Sequence, residues 1–549
     1  MNGRLLPCAL SAAAACALLL SCTPLTGPLP SGMAAGPEVQ HVPYTGSFTY
    51  TVDPGQSPRD VYFVFTNPSL DQDMALKPSV SSQSIKVDGV ALPAPASQPL
   101  PSENSAPQTL ADRIAEFNRD PFSNLVKFSL SRPSGSYVSD LPAQADQANI
   151  TTGTFYALTD PNATALSSVP ATCRAVVGPV DLGDGRTRAL SIWVGDANWG
   201  TDVNAAMVAA LAARFLQDPA SVNDIYHWDT AAVGEPWGPA AKSPYISWDS
   251  NNTITILLTE LNTDYSASVI VGYFWAKDNF TATALPGSNQ RIMFYIDSKL
   301  YGSVLSTETS WADTDFWPKL VFSTLAHEFQ HMIQFYQKQV VHNLAASTDT
   351  WINEMCSMIM EDLVADKLNI EGPRGVITAD GSAGPSGITD GRIPDFNQDS
   401  YYRLAVTSKY DVYDYSTSYA FGAWLARNYG GAELLQRIVQ CPQTDSTAVV
   451  NAAAAASGKT ESMERLLEKW SAAVLISDTT AAPPGYRYNT GAWSTSSAGG
   501  MSYNLGSIDI FNYTPALLVF NSNSQVFTAP YYSSSNVYFL AASKLAAAK

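Results

Sequence analysis

The sequence predicts an α+β protein of more than one domain, and three patterns carry that prediction. Two helical runs with one buried stripe each follow one another between Phe316 and Lys367. Strands and helices alternate from Arg186 to Asp297, and strand-like alternation of apolar and polar residues marks both ends of the chain. At 549 residues the chain is also too long for one ordinary domain, and with 46% apolar and 11% aromatic residues it can bury a sizeable core. The expected division is 1–21 leader, 22–40 tether, 41–175 β-rich N-terminal domain, 176–484 α+β domain carrying the chemistry, and 485–549 C-terminal β region.

The leader has Arg4 as its charged start and an apolar run from Leu5 to Leu20, short for a membrane span. It closes on Leu19-Leu20-Ser21-Cys22, which resembles a bacterial lipobox, so Cys22 is expected to be the lipid-bearing mature N-terminus. Cutting at Cys16 would split the apolar run, and the plain alternative is secretion after a cut near Ala35. Either way the protein is expected outside the cytoplasm; with a lipid it sits on the bacterial cell envelope, anchored to a membrane. Beyond Cys22 only Cys173, Cys356 and Cys441 remain, so at most one pair can form among them. The Pro-, Gly- and Ser-rich stretch from Thr23 to Gln40 suits a tether.

GSFTYTVD, RDVYFVFTN and LVKFSLS then read as strands, with a proline-rich loop at Leu92–Pro107. From Arg186, RALSIWVGD reads as a strand, NAAMVAALAARFLQD as an amphipathic helix, and TITILLTEL and RIMFYID as further strands. ASVIVGYFWAKDNF is expected to supply an edge strand or the rim of a cleft. Asp196, Asp202 and Asp278 raise Ca2+ as a ligand, but no D-x-[DN]-x-[DN]-G loop supports it. Past the central helices, Asn369–Ser400 is a Gly-, Pro- and Asp-rich loop and a candidate cleft rim. TSYAFGAWLARNYGGAELLQRIV and ESMERLLEKWSAAVLI read as helices. The last strands either form a small domain or return to the N-terminal one. A formal net charge of −18 argues against a nucleic-acid partner, which would require clustered Lys and Arg. No oligomeric state is implied.

The chemistry concentrates in His327-Glu328-Phe329-Gln330-His331. Pro318 sits where proline suits the first turn, and the helix then continues without Gly or Pro past Gln339. Residues four apart share a face, so the two imidazoles can grip one Zn2+, with Glu328 reaching the water there as general base. With five histidines in the chain, this pattern is expected by chance only at roughly a few per thousand. A catalytic zinc needs a third protein ligand, and Glu354, early on the next helix behind Asp349 as N-cap, is positioned for it. Glu361, about two turns further along, is expected to play a supporting or structural part. Cys356 should point away from the metal into the core.

HEFQHMI followed by Trp351-x-Asn353-Glu354 resembles the gluzincin metallopeptidases, most closely the hyicolysin-like neutral metallopeptidases, over about Ser191–Gly431. The resemblance implies a zinc peptidase fold with an active-site helix and a helical half. It implies one Zn2+ held by His327, His331 and Glu354, Glu328 as base, and protein or peptide substrates. Where thermolysin-type enzymes keep an aspartate four residues after the ligand glutamate, this chain has Met358, so another group must orient the imidazole. Related families also keep an oxyanion-stabilising tyrosine at the position of Tyr419, with Tyr413 and Tyr415 as rivals. An endopeptidase is the leading class. The Gly-x-Met-Glu-Asn run of aminopeptidases is missing, and the loss of Glu328 that would mark a non-catalytic adhesin has not occurred.

Overall fold

The structure is a computed structural model. It describes residues 16–18, 37–42, 59–71, 79–80, 114, 118, 146–160 and 166–545, apart from 184, 218–221, 249–251, 266–268, 346–347, 401, 406–411, 518–519, 522–524 and 527–531. β1 is Arg59–Thr66, and β2 (Thr152–Ala157), β3 (Ser167–Asp181) and β4 (Thr187–Gly195) follow. Helices α1 (Ala205–Phe215) and α2 (Ile225–Val233) lead to β5 (Thr253–Thr259), β6 (Gly272–Phe274) and β7 (Ile292–Asp297). These last six strands form one sheet in the order β2-β3-β4-β5-β7-β6. β4, β5 and β7 run parallel, and almost every residue in them is buried, as both-face coverage by helices requires. β6 pairs antiparallel with β7 and ends the strand order, so the edge strand lies within ASVIVGYFWAKDNF.

The expected boundary between 175 and 176 falls inside β3, so β2 and β3 belong to the central sheet and not to an N-terminal domain. Pro170 and the Gly178-Pro179 pair break the apolar alternation of this 15-residue strand, and register shifts flank Arg174 and Gly178-Pro179. A sequence scan therefore reads fragments where the ladder is continuous.

Helix α3 (Phe316–Phe335) lies on this sheet and α4 (Thr350–Leu368) on α3. α5 (Val412–Asn428), α6 (Ala432–Gln440), α7 (Ser446–Ser457) and α8 (Met463–Leu475) complete the helical half. Val321, Leu325, Phe329 and Met332 are fully buried along one stripe of α3. Phe329 meets Phe215 of α1 edge-on at 5.1 Å and Phe294 of β7 at 6.5 Å. Burying such a ring contributes about 1.5–3 kcal/mol and fixes the rotation of α3 about its axis. A single π-helical stretch, Tyr336–Val341, ends it, with Trp237 stacked on Phe335. Cys356 is fully buried on α4, where burial pushes its thiol up.

The last strands go to two places. β8 (Ser494–Ala498) and β9 (Met501–Leu505) form a hairpin against the helical half, where Tyr503 Oη donates to Trp228 O at 2.6 Å. β10 (Asn536–Leu545) returns to the N-terminal strands and pairs antiparallel with β1. On the other side of β1 lies Cys16–Leu18, followed by Gln40–Val42. Cys22 and most of the expected leader and tether lie outside the described residues. Among the described residues no helix is long and apolar enough to cross a membrane.

Candidate metal centre

His327, Glu328 and His331 face a cavity bounded by α3, α4 and the edge strand β6. Helical spacing puts the two imidazoles one turn apart, with ring centroids 4.7 Å from each other. α4 crosses over them and delivers Glu354 Oε2 to 3.2 Å from His327 Nε2 and 3.5 Å from His331 Nε2. Donors about 2.0–2.1 Å from a tetrahedral ion stand roughly 3.3–3.5 Å apart, so Glu354 Oε2 lies at ligand spacing from each of the two imidazole nitrogens.

Each imidazole is oriented through its other nitrogen. His327 Nδ1 lies 2.8 Å from Glu361 Oε1, and Glu361 also accepts from Ser323 Oγ at 2.5 Å. His331 Nδ1 lies 3.0 Å from Asn353 Oδ1 and 3.1 Å from Ser357 Oγ. With Nδ1–H donated to these acceptors, both Nε2 lone pairs converge on the Glu354 carboxylate, an arrangement that calls for a cation between them. Glu361 thus does from two turns along α4 what an aspartate at position 358 would do in thermolysin-type enzymes. Met358 itself is fully buried in the core.

The two carboxylates and the two imidazoles dominate one another's titration. Burial opposes charge on His327, yet its hydrogen bonds to the Glu354 and Glu361 carboxylates outweigh it and push its pKa up to about 10. Burial likewise opposes charge on Glu354, but His331 and His327 hold its carboxyl well below the usual range. Glu328 is raised, chiefly by burial, with the two histidines working against the rise. By proximity alone Glu328 also qualifies as a ligand, since its oxygen and the histidine nitrogens lie within 4.8 Å of one another. Its Oε2, however, accepts from the Phe274 main-chain N–H at 2.7 Å, which ties it to the edge strand.

Residues 180–513 match the peptidase M30 family. The chain belongs to that family. It is also similar to the neutral metalloprotease ShpI of Staphylococcus hyicus, at 26% identity over 213 residues. That match covers 37% of this chain and 42% of the relative's length.

Within this M30 chain the three candidate tyrosines, Tyr413, Tyr415 and Tyr419, sit differently relative to the cavity. Tyr419 is fully buried, and its Oη donates to Asp362 Oδ2 at 3.1 Å, beside Arg427 at 2.9 Å from the same oxygen. It therefore does not face the cavity. Tyr415, four residues earlier on the same face of α5, lines it together with Glu354 and Asn353. Tyr413 is not among the lining residues.

The loop at 369–400 contributes no lining residue either and backs the site instead of rimming it. From this loop Arg392 stacks its guanidinium over the Tyr415 ring, 5.3 Å from the centroid, and its charge helps hold the Glu361 carboxyl down.

The three acids raised for Ca2+ have separate engagements. Asp278 pairs with buried Lys277 and accepts from Tyr295, Asp202 accepts from Asn198 and Ser298, and Asp196 accepts from Thr172. Asn353, Ser357 and Ser323 carried no motif of their own, but Asn353 was readable in the W-x-N-E run. Ile114 and Asn118, which also line the cavity, left no signal in the sequence.

Proposed function

We propose that this protein is a zinc-dependent endopeptidase acting on proteins or peptides outside the cytoplasm. The observation that carries the reading is the convergence of His327 Nε2, His331 Nε2 and Glu354 Oε2 at ligand spacing, with Glu328 beside them and held by β6. When bound there, Zn2+ supplies Lewis acidity toward water and toward the scissile carbonyl.

The chain's own residues supply the rest. Glu328 is buried and raised in pKa, which suits a carboxylate that takes a proton from the attacking water and gives it to the leaving amine. The Phe274 N–H fixes the carboxylate so that one oxygen stays directed into the cavity. Tyr415 is the residue placed to donate to the developing oxyanion. Asn353 and Glu361 hold the imidazoles in one tautomer and one orientation. An edge strand whose open side faces the cavity suits an extended chain that continues on both sides of the cut bond, and this favours endopeptidase over exopeptidase action.

The test is Glu328→Gln. An amide of the same shape cannot accept the proton, so hydrolysis of a mixed peptide library should vanish while zinc stoichiometry and melting stay as in the wild type. Near-wild-type activity in that variant would overturn the mechanism.

The export reading is likewise proposed, on Arg4, the apolar run and the LLSC closure. Cys22→Ala should leave the detergent phase, and its retention there after processing would count against a lipid on Cys22.

A further inference from the structure

One wall of the cleft comes from a segment that lies well before the part of the chain matched by the family. Ile114, 6% exposed, and Asn118 line the cavity with Glu328, His331 and Glu354. Asn118 Nδ2 donates to Phe274 O at 3.1 Å, and its Oδ1 accepts from Ala276 N at 2.9 Å. Its own main-chain O accepts from Gln339 Nε2 at 3.2 Å, at the π-helical end of the metal helix.

The choice of atoms matters. β6 pairs with β7 through residues whose main-chain groups turn inward, as where Asp297 N–H donates to Val271 O at 2.8 Å. Groups of alternate residues turn the other way, toward the cleft. Phe274 spends its N–H on Glu328 and its C=O on Asn118, and the next outward N–H, that of Ala276, also goes to Asn118. A carboxamide carries a donor and an acceptor side by side, as a peptide chain does. One side chain therefore occupies the carbonyl and the N–H that an extended substrate would pair with along this edge.

We propose that the Asn118 carboxamide is an internal occupant of the substrate edge, and that an extended substrate must displace it to pair with Phe274 O and Ala276 N–H. The proposal rests on the reading of β6 as the strand that receives extended peptide. Asn118 holds the edge by two hydrogen bonds and is itself held by one more, a number that a peptide running along the strand can match. The carboxamide is therefore displaceable, and substrate and Asn118 compete for the same atoms. The competition taxes apparent affinity by the fraction of molecules in which the edge is open.

The experiment uses the full chain, zinc-loaded, in a Glu328→Gln background so that binding is read without turnover. The probe is a fluorescein-labelled pool of casein-derived peptides. Adding Asn118→Ala should tighten the apparent Kd by roughly three- to tenfold, with zinc content and Tm unchanged, and should speed amide exchange at Ala276. Asn118→Asp keeps the acceptor for Ala276 and loses the donor to Phe274, so it should give a smaller gain. It serves as the second reading if the alanine variant melts early. Unchanged or weaker peptide binding in both variants overturns the occupant. If Asn118→Ala with Glu328 intact hydrolyses no peptide while it still tightens binding, the peptidase reading falls and the occupant stands.

Discussion

At the scale of single residues, the site depends on which nitrogen of each histidine is free. Glu361 and Asn353 contact the Nδ1 atoms and so turn both Nε2 atoms toward Glu354. Replacing Glu361 with alanine frees the His327 ring to rotate and removes a charge that raises its basicity. Zinc affinity measured by chelator competition should fall by about 10–100-fold, with Glu354 still in place. Glu354→Ala, in contrast, should lose stoichiometric zinc altogether. The two tyrosines of α5 separate in the same way. Tyr415→Phe should lower kcat by roughly 10²-fold with little change in KM, as expected for the loss of one oxyanion donor. Tyr419→Phe should leave kcat intact and cost about 1 kcal/mol of stability in urea unfolding, through its lost bond to Asp362. If the two kcat results come out reversed, the oxyanion assignment returns to Tyr419.

At the scale of elements, the metal centre is a crossing of α3 and α4 held from behind by α5. Gly422 is where α5 comes closest: a Cβ there would meet Met355 Cγ at 2.7 Å and Ile359 Cγ1 at 3.1 Å. Met355 directly follows Glu354 on α4, and Ile359 lies about one turn further along. Gly422→Ala should push α4 off α5, costing about 1–3 kcal/mol in thermal or urea unfolding and weakening zinc binding as Glu354 shifts. A fully stable variant with normal zinc would show that the helices slide apart freely.

The same crossings explain what could be read in advance. The pairing of His327 with His331 and the placement of Glu354 near a helix start follow from the 3.6-residue period, which a sequence displays directly. Tyr415 and Tyr419 occupy one face of α5 by that same period. Only the angle at which α5 meets α4 decides which of them reaches the cavity, and no local pattern encodes that angle. Glu361 was legible as a residue of α4 but not as the partner of His327, because the reach of its side chain depends on the α3–α4 spacing. The strands were legible one by one, whereas the membership of β2 and β3 in the central sheet was hidden by Pro170 and Pro179. Asn118 could not be found at all, since its contacts with residues 274, 276 and 339 span more than 150 positions.

At the scale of the molecule, the two ends of the chain meet and rest on the helical half. β1 and β10 pair side by side, and the sheet they form lies against α8, where Thr66 Oγ1 and Ser471 Oγ are 3.4 Å apart. His41 Nδ1 reaches Glu468 of α8 at 2.9 Å in the same region. Burial raises the Glu468 carboxyl to about 7; Arg465 works against this and Glu464 adds to it. His41 does not offset the cost, because burial first and Arg465 second lower its own pKa, and it is neutral at pH 7. A carboxyl with a folded pKa above its unfolded value binds more protons in the folded state over the interval between the two. Its stabilising effect is complete below about pH 4.5 and is lost as the pH rises through about 7. The Glu468 side chain is buried at 7% exposure, while its neighbour His41 is 35% exposed. The Tm of the wild type should therefore fall between pH 5 and pH 8 through this contact. Glu468→Gln, neutral throughout, should flatten that part of the profile and melt higher than the wild type at pH 8. Because Glu468 is on α8 and does not line the candidate metal cavity, the flattening should appear equally in the zinc-loaded protein and after chelation. A variant that keeps the wild-type slope would place the titrating group elsewhere.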